Sequence, residues 1–146
     1  MLLARWGLTA LSHRFEESEM ADRLEEVQRA LLRGGTIDIT TTGRRTGLPR
    51  QIEIAFHNIG GRIFISGIPS TRRRSWIANL ETNPRFTFHL KGATSADLEA
   101  TARLIADEAE RRTIFPAVAR AWGRKDLEAM VRHSPLIEVT FDNLAA

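Results

Sequence analysis

At 146 residues, of which 42% are hydrophobic and 27% charged, the chain has the size and composition of one globular domain with a buried core. It contains no cysteine, which excludes disulfide bonds, a thiolate nucleophile and cysteine-ligated metal sites. The net charge of +3 comes from arginine, because Lys91 and Lys125 are the only lysines, and arginine favours phosphate and carboxylate partners.

The N-terminal third of the chain predicts a helix. Met1 to Leu8 is mildly apolar, but this stretch is too short and too interrupted for a transmembrane helix and has no cleavage-site pattern. We therefore expect a cytoplasmic protein whose first residues form a packing arm or contact a membrane surface weakly. A helix is predicted from about Ser18 to Arg33, ended by Gly34 and Gly35. Its packing stripe comprises Met20, Leu24, Val27 and Leu31.

The period of the apolar residues then changes from helical spacing to alternation, which indicates strands. The first predicted strand covers residues 36–42, and the second is centred on residues 52–56. A turn at residues 58–61 leads into a third strand at residues 62–66, which makes a hairpin. A fourth strand is predicted over residues 86–90.

The C-terminal part of the chain mixes both patterns. Residues 97–105 are rich in helix-forming residues but alternate between apolar and polar, and this period predicts a strand. A helix follows, capped by Asp107 and reaching Arg120, and a short helix begins near Asp126. A last strand is predicted over residues 136–141.

These elements predict an α+β, mainly antiparallel β fold in a single domain spanning residues 1–146. Residues 1–35 form the N-terminal arm and helix, and residues 36–142 form about six strands with inserted helices. We expect the strands to follow a meander-like order. A closed or half-closed barrel is favoured over an open sheet, because closure removes exposed strand edges.

The loop between the first two strands carries the strongest functional signal. It contains Gly43 and Gly47, which allow a tight turn and close approach to a ligand, and the hydroxyl of Thr46. Arg44, Arg45 and Arg50 surround this turn. The pattern fits an anion site made of backbone amides and guanidinium groups, although a solvated hairpin loop would have the same composition.

A second arginine run, Arg72 to Arg74, precedes a predicted helix at residues 75–80. A helix N-terminus beside three arginines is also favourable for an anion. Trp76 lies on this helix, where its spacing to Leu80 fits either core packing or contact with a cofactor.

Other kinds of site are less well supported. The four histidines show no pair spaced for a metal site, so no metal ligands are assigned. His57 ends its strand and could face a cofactor cleft, whereas His89 is expected at the surface. Aromatic residues fall on predicted core faces and do not interleave with arginine, so we do not expect nucleic acid as a partner.

The string from Gly43 to Arg50, followed by Trp76, Asn79 and the Asn83–Pro84 pair, resembles the signature of the deazaflavin-dependent nitroreductase family. The resemblance covers about residues 36–142 and implies a split β-barrel, often dimeric, that binds coenzyme F420, a deazaflavin with a phosphodiester and a glutamate tail. It implies a cofactor site formed by Gly43, Arg44, Arg45, Thr46, Gly47, Pro49, Arg50, Ile65, Ser66, Gly67, Arg72, Arg73, Arg74, Trp76 and Asn79.

The chain departs from the family pattern in two respects. Trp76 is followed by Ile77 where tyrosine is common, and the chain contains no tyrosine, so no phenol can donate a proton. Arginines also occupy the segment before Trp76 where smaller residues are usual. We expect hydride transfer from the cofactor to a quinone, an activated alkene or a nitro compound, with Ser66 as the candidate catalytic residue and a histidine or water as other proton sources. The alternative is a split-barrel binder of FMN, heme or another anionic cofactor.

Overall fold

The computed structural model describes the backbone of residues 2–142 and 144 and the side chains of residues 14–142 and 144. The strands are β1 (Gly35–Thr42), β2 (Pro49–Ile59), β3 (Arg62–Ser66), β4 (Arg85–Leu90), β5 (Ala96–Leu104) and β6 (Leu136–Phe141). The helices are α1 (Leu2–Arg33), α2 (Ser75–Thr82), α3 (Glu108–Trp122) and α4 (Leu127–His133). The predicted strands and helices are all present.

The six strands form a closed antiparallel barrel in the order β1-β2-β3-β6-β5-β4. This confirms the predicted fold class, although the strand order is only partly the meander-like order that we expected. The chain makes two three-stranded meanders, β1-β2-β3 and β4-β5-β6. They are joined where β1 pairs with β4 and where β3 pairs with β6, so the consecutive strands β3 and β4 are not neighbours.

The barrel interior is filled by the apolar side chains that alternate along each strand. Phe88 lies at its centre, and its ring meets Phe56 edge-on at 5.2 Å and Phe141 at 5.0 Å between ring centroids. Strand β5 turns Ala100 and Ala102 inward. These two small side chains fit beside the large rings, which is why the alternating pattern of this segment prevails over its helix-forming composition.

Helices α3 and α4 cover the outside of the barrel beside β3 and β6. Phe64, Phe115, Val118 and Met130 form a second apolar cluster there. Asp107 caps α3 by accepting a hydrogen bond from the Glu110 amide at 2.9 Å. Gly123 ends this helix in the left-handed conformation, with φ of 65°. The predicted start of α3 at Asp107 is confirmed.

Helix α1 is longer than predicted, and its buried side chains among those described lie near its C-terminus. It begins at Leu2 rather than near Ser18, and Val27 and Leu31 are buried. Met20 and Leu24 were expected in the same packing stripe, but they are 73% and 43% exposed because the helix has left the barrel surface there. The side chains of the expected N-terminal arm lie outside the described residues. Within the described part of the chain, no helix is long and apolar enough to cross a membrane.

Candidate active site

The loop between β1 and β2 is a compact turn closed by its own backbone. The Gly43 amide donates to Leu48 O and the Gly47 amide donates to Gly43 O, both at 2.8 Å. Gly47 has a φ of 70°, a conformation that glycine adopts without strain. A Cβ at Gly43 would lie 2.8 Å from Thr46 Oγ1 and 3.1 Å from Leu48 O. The two glycines of the motif are therefore required by the shape of this loop.

Asn79 of α2 fastens this loop to the barrel. Its Oδ1 accepts hydrogen bonds from Arg44 N at 3.1 Å and from Arg44 Nη1 at 3.2 Å. Its Nδ2 donates to Thr41 Oγ1 at 3.1 Å, and Asn79 is only 4% exposed. One buried amide side chain thus sets the position of this loop, residues 43–48 and hereafter the arginine loop, relative to both β1 and α2.

Arg45 and Arg50 lie beside this loop without an acidic partner. Both are exposed, and among the described residues neither forms an ion pair or a side-chain hydrogen bond. Arginines elsewhere on the barrel are paired, as with Arg62 and Arg103 on Glu138 and Arg85 on Asp142. The loop therefore presents two guanidinium groups whose hydrogen-bonding capacity is free for a ligand.

The N-terminus of α2 faces the same loop. Its N-cap residue, Arg74, makes no capping hydrogen bond with its side chain, so the amides of the first turn remain without a side-chain acceptor. Together the loop and the helix enclose a cavity of about 420 Å³. Its lining includes Thr41, Gly43, Arg44, Arg45, Thr46, Arg50, Gln51, Ile52, Ser75, Trp76 and Asn79.

A larger cavity, of about 810 Å³, lies beyond the same helix N-terminus. Arg74 and Ile77 line this cavity, whereas Ser75 and Trp76 line the smaller one. Its walls come from the segment before α2, the β5–α3 connection and the end of α4. Its apolar lining consists of Ile77, Leu104, Ile105, Ala106, Val131, Pro135 and Leu136. Its basic lining consists of Arg72, Arg73, Arg74, Arg111, Arg132 and His133.

Buried Arg111 fixes the wall of the larger cavity. Its guanidinium donates to Val131 O at 2.7 Å, to Ile105 O at 2.8 Å and to Met130 O at 3.3 Å, and it also bonds Ser134 O. Burial lowers the pKa of Arg111, since no carboxylate offsets the loss of hydration. The Ser134 hydroxyl in the same wall is buried and has no hydrogen-bond partner among the described residues.

The structure divides the predicted site residues between these two cavities. The smaller cavity gathers Gly43, Arg44, Arg45, Thr46, Arg50, Trp76 and Asn79. The larger cavity takes Arg72, Arg73 and Arg74. Gly47 in the loop and Pro49 at the start of β2 are both exposed and line neither cavity. Core packing and contact with a cofactor were both considered for Trp76. It is only 7% exposed and still contributes to the wall of the smaller cavity, so its position is compatible with both.

The residues at the end of β3 are placed differently from expectation. Ile65 and Ser66 are fully buried in the barrel wall, and the Ser66 hydroxyl donates to Pro135 O at 2.7 Å. Its proton is therefore engaged in an internal hydrogen bond, which corrects our expectation of Ser66 as a proton donor. Gly67 allows close packing, since a Cβ there would lie 3.1 Å from Pro135 Cγ.

Sequence reasoning missed several residues of the two cavities. Thr41 and Ser75 had recognisable signals, because one precedes the glycine loop and the other begins the helix. Arg111 and Ser134 had none, since their importance depends on backbone carbonyls that the fold brings together from distant segments.

His57 and His89 lie outside both cavities. His57 is buried at the end of β2 opposite Arg50, with its ring edge-on to Trp122 at 4.7 Å. Burial lowers the pKa of His57, and this residue lines a third cavity of about 440 Å³. His89 bonds Thr40 Oγ1 and Asp97 Oδ1, each at 2.7 Å. This hydroxyl–imidazole–carboxylate row lines none of the three cavities described here.

Comparison with known proteins identifies the family. The model of the F420H2-dependent quinone reductase family matches residues 12–140, and the chain belongs to that family. The protein is thus an F420-dependent oxidoreductase whose cofactor is coenzyme F420. This confirms the cofactor and the enzyme class expected from the motif.

Solved structures share the fold at low sequence identity. An F420-H2-dependent reductase, FDR-A, is 21% identical over 73% of this chain and 94% of its own, with a TM-score of 0.53. The heme storage protein HutZ from Vibrio cholerae is 16% identical over 82% of this chain and 90% of its own, with a TM-score of 0.62. A putative pyridoxamine 5'-phosphate oxidase from Listeria innocua is 15% identical over 82% and 94%, with a TM-score of 0.57. These likenesses confirm the split-barrel fold.

The residues of the smaller cavity fit the anionic part of coenzyme F420. A phosphodiester and glutamate carboxylates require cationic and amide donors, and Arg45, Arg50 and the open N-terminus of α2 supply them. The larger cavity beyond the helix N-terminus has the apolar lining that a planar ring system requires.

Proposed function

We propose that the protein reduces an organic acceptor, such as a quinone, an activated alkene or a nitro compound, with a hydride from reduced coenzyme F420. Membership of the F420H2-dependent quinone reductase family makes a quinone the first acceptor to test. The observation that carries the proposal is that Arg45 and Arg50, which have no ion-pair partner among the described residues, lie beside the uncapped N-terminus of α2. In this arrangement the smaller cavity binds the phosphodiester and glutamate tail of the cofactor. The larger cavity is then available to the groups that react.

Each part of the smaller cavity has a distinct role in this proposal. Arg45 and Arg50 bind the phosphodiester and the glutamate carboxylates, and the first-turn amides of α2 add dipolar stabilisation. Asn79 holds the loop so that Arg44 and its neighbours are already in position. Because the loop backbone is fixed before binding, the cost of ordering the site falls mainly on the side chains of Arg45 and Arg50.

The larger cavity would hold the acceptor and exclude water from it. Coenzyme F420, when bound in its reduced form, supplies a hydride and releases a proton, and a quinone that takes up both becomes a hydroquinone. Apolar side chains such as Ile77 and Leu136 pack against the acceptor ring and favour alignment of the reacting atoms. The Ser134 hydroxyl and His133 are the lining groups that we propose as proton carriers, together with solvent.

The test is the affinity for coenzyme F420 of the double variant Arg45→Ala/Arg50→Ala. Charge-assisted hydrogen bonds each contribute about 1.5–3 kcal/mol and are not fully additive, so we expect a loss of about 2–4 kcal/mol in binding. The thermal midpoint should change little, because both side chains are exposed and unpaired. Arg120→Ala, an exposed arginine at the end of α3, serves as the matched control and should bind normally.

The outcomes separate this proposal from its alternative. Unchanged affinity in the double variant would remove the arginine loop from the cofactor site. Tight binding of FMN or heme, combined with no oxidation of reduced F420 by any acceptor, would favour a split-barrel binder without this turnover.

A homodimer is the remaining part of the proposal, and it follows from the resemblance to dimeric split barrels. Exposed apolar side chains among the described residues, including Phe15, Met20 and Leu32, are available to a subunit contact. Sedimentation equilibrium should then give twice the 16.4 kDa mass of one chain.

A further inference from the structure

The larger cavity carries more positive charge than binding of an apolar ring requires. Its only acidic lining residue is Glu108, which is already bonded to Arg112 at 2.8 Å. Arg73 is neutralised by its ion pair with Glu81. The guanidinium groups of Arg72 and Arg132, however, form no hydrogen bond or ion pair within the described part of the chain.

Arg74 is a third cationic residue of this cavity, and its guanidinium is hydrogen-bonded to the backbone. Its Nη2 donates to Ile68 O at 2.6 Å, and it has no carboxylate partner among the residues described. Three arginines therefore line one cavity without an ion pair among the described residues, although Glu128 is close enough to Arg132 to interact with it electrostatically. An anionic group bound between Arg72 and Arg132 would accept the charge-assisted hydrogen bonds that no described carboxylate accepts from them.

The cofactor's own anionic groups do not account for these arginines. The loop carrying Arg45 and Arg50 lines the smaller cavity, and none of the arginines of residues 72–74 lines it. The two cationic sites lie on opposite sides of the α2 N-terminus, where Ser75 lines one cavity and Ile77 the other. Each cavity therefore has its own anion-binding groups.

We infer that the acceptor carries an oxyanion group, a carboxylate or a phosphate, which Arg72 and Arg132 bind while its hydrocarbon part lies against the apolar wall. This inference rests on the proposed function and names the substrate class of the same site. Arginine suits this role because its planar fork donates two parallel hydrogen bonds to an oxyanion. The apolar wall, including Leu104 and Leu136, selects for a ring or chain attached to that group.

The first experiment measures binding without turnover. Isothermal titration of the purified protein compares 2-naphthoate and 2-naphthyl phosphate with the neutral 2-naphthylmethanol. Wild-type protein should prefer one or both anions, and the better of the two identifies the oxyanion. In Arg72→Gln/Arg132→Gln this preference should fall by about 10- to 100-fold, as expected for loss of charge-assisted hydrogen bonds. Arg120→Ala should retain it.

The second experiment measures selectivity in turnover. With reduced F420 as donor, kcat/KM is compared for 1,4-naphthoquinone and its 2-carboxylate. The ratio between the two should drop in the double variant through a higher KM for the carboxylate, whereas Arg120→Ala should leave the ratio unchanged.

Two results would overturn the inference. One is equal affinity of the wild-type protein for the anionic and neutral naphthyl compounds. The other is a loss of cofactor affinity in Arg72→Gln/Arg132→Gln that grows with the number of glutamates on F420, since these arginines would then bind the tail. Either result leaves the proposed function standing, because that function depends on Arg45, Arg50 and oxidation of the reduced cofactor.

Discussion

At the scale of single residues, Arg111 is the clearest case of a buried charged side chain with a structural role. Its guanidinium joins carbonyl groups from the end of β5, from α4 and from the segment before β6. Two of these carbonyls, those of Val131 and Ser134, lie at the C-terminal end of α4, where helix carbonyls lack partners within the helix. One side chain thus satisfies acceptors that would otherwise be buried without donors.

We predict that Arg111→Met lowers the free energy of unfolding by at least about 3 kcal/mol, because each orphaned buried carbonyl costs about 1–3 kcal/mol. The matched control is Arg112→Met on the next position of α3, where exposed ion pairs are lost and little change is expected. Urea titration followed by tryptophan fluorescence measures both variants. Equal midpoints for the two would show that the Arg111 bonds contribute nothing net.

Ser66 and Ser134 illustrate what sequence can and cannot reveal about a residue. Ser66 was expected to act because the family resemblance places the end of its strand beside the cofactor ring. Its burial and its bond to Pro135 O depend on the pairing of β3 with β6, which brings together positions 69 residues apart. Ser134 has no distinguishing sequence pattern, yet its unpartnered hydroxyl lies in the wall of the larger cavity.

At the scale of elements, a row of ion pairs on the barrel surface links β3, β5, β6 and α3. Glu138 of β6 accepts from Arg62 Nε at 2.8 Å and from Arg103 Nη2 at 2.8 Å. Arg103 also bonds Glu110 of α3 at 2.9 Å. The hydrogen bonds from Arg62, and then those from Arg103, lower the pKa of Glu138 from 4.5 to about 2.

This shift predicts how stability depends on acid pH. A carboxylate whose pKa is lower in the folded state stabilises the fold fully above pH 4.5 and loses that effect as the pH falls toward 2. The unfolding free energy of wild-type protein should therefore decrease more steeply over this range than that of Glu138→Gln. Urea titrations at several pH values provide the comparison. Parallel profiles would show that the ion pairs have no net effect.

The attachment of the arginine loop to α2 gives a second prediction at this scale. Asn79→Ala removes the bonds to Arg44 and Thr41, so the loop loses its fixed position. We expect F420 affinity to fall about tenfold and stability to fall by about 1–3 kcal/mol. The control is Asn83→Ala, which removes a bond to the Arg85 amide at the other end of the same helix. A variant that keeps full affinity would contradict a positioning role for Asn79.

Most of the elements could be predicted from local patterns, with limits set by tertiary contacts. Alternation placed β5 correctly, because Ala100 and Ala102 must point into the barrel while their neighbours face outward. The same kind of pattern overestimated the packing of α1. Leu24 continues the apolar stripe of Val27 and Leu31, but nothing in the sequence states where the barrel surface beneath the helix ends.

At the scale of the whole molecule, the chain contains no tyrosine, and this absence affects turnover. A positioned acid typically accelerates proton transfer by about 10² to 10⁴. We predict slow, pH-dependent reduction of nitro compounds and faster reduction of quinones, whose reduced oxygens take protons from water. Stopped-flow oxidation of reduced F420 by both classes tests this. Rapid nitroreduction without pH dependence would show that another positioned side chain donates the proton.

The sequence predicted the fold class of the whole molecule but not which strands pair with each other. Six strands in a short chain predicted closure, and the barrel is closed. The pairing of β3 with β6, and the division of the arginines between two cavities, depend on contacts between distant segments. The motif therefore indicated the loop that we propose binds the cofactor, whereas the assignment of Arg72 to a separate cavity required the structure.

The position of β6 between β3 and β5 has a consequence for synthesis of the protein in the cell. While the ribosome is still adding this last strand, the emerged chain has two open strand edges, one on β3 and one on β5. Such edges pair readily with other nascent chains on the same messenger RNA. Arg62 on β3 places a positive charge at one of these edges, which disfavours such pairing until β6 closes the barrel and Glu138 accepts its hydrogen bonds.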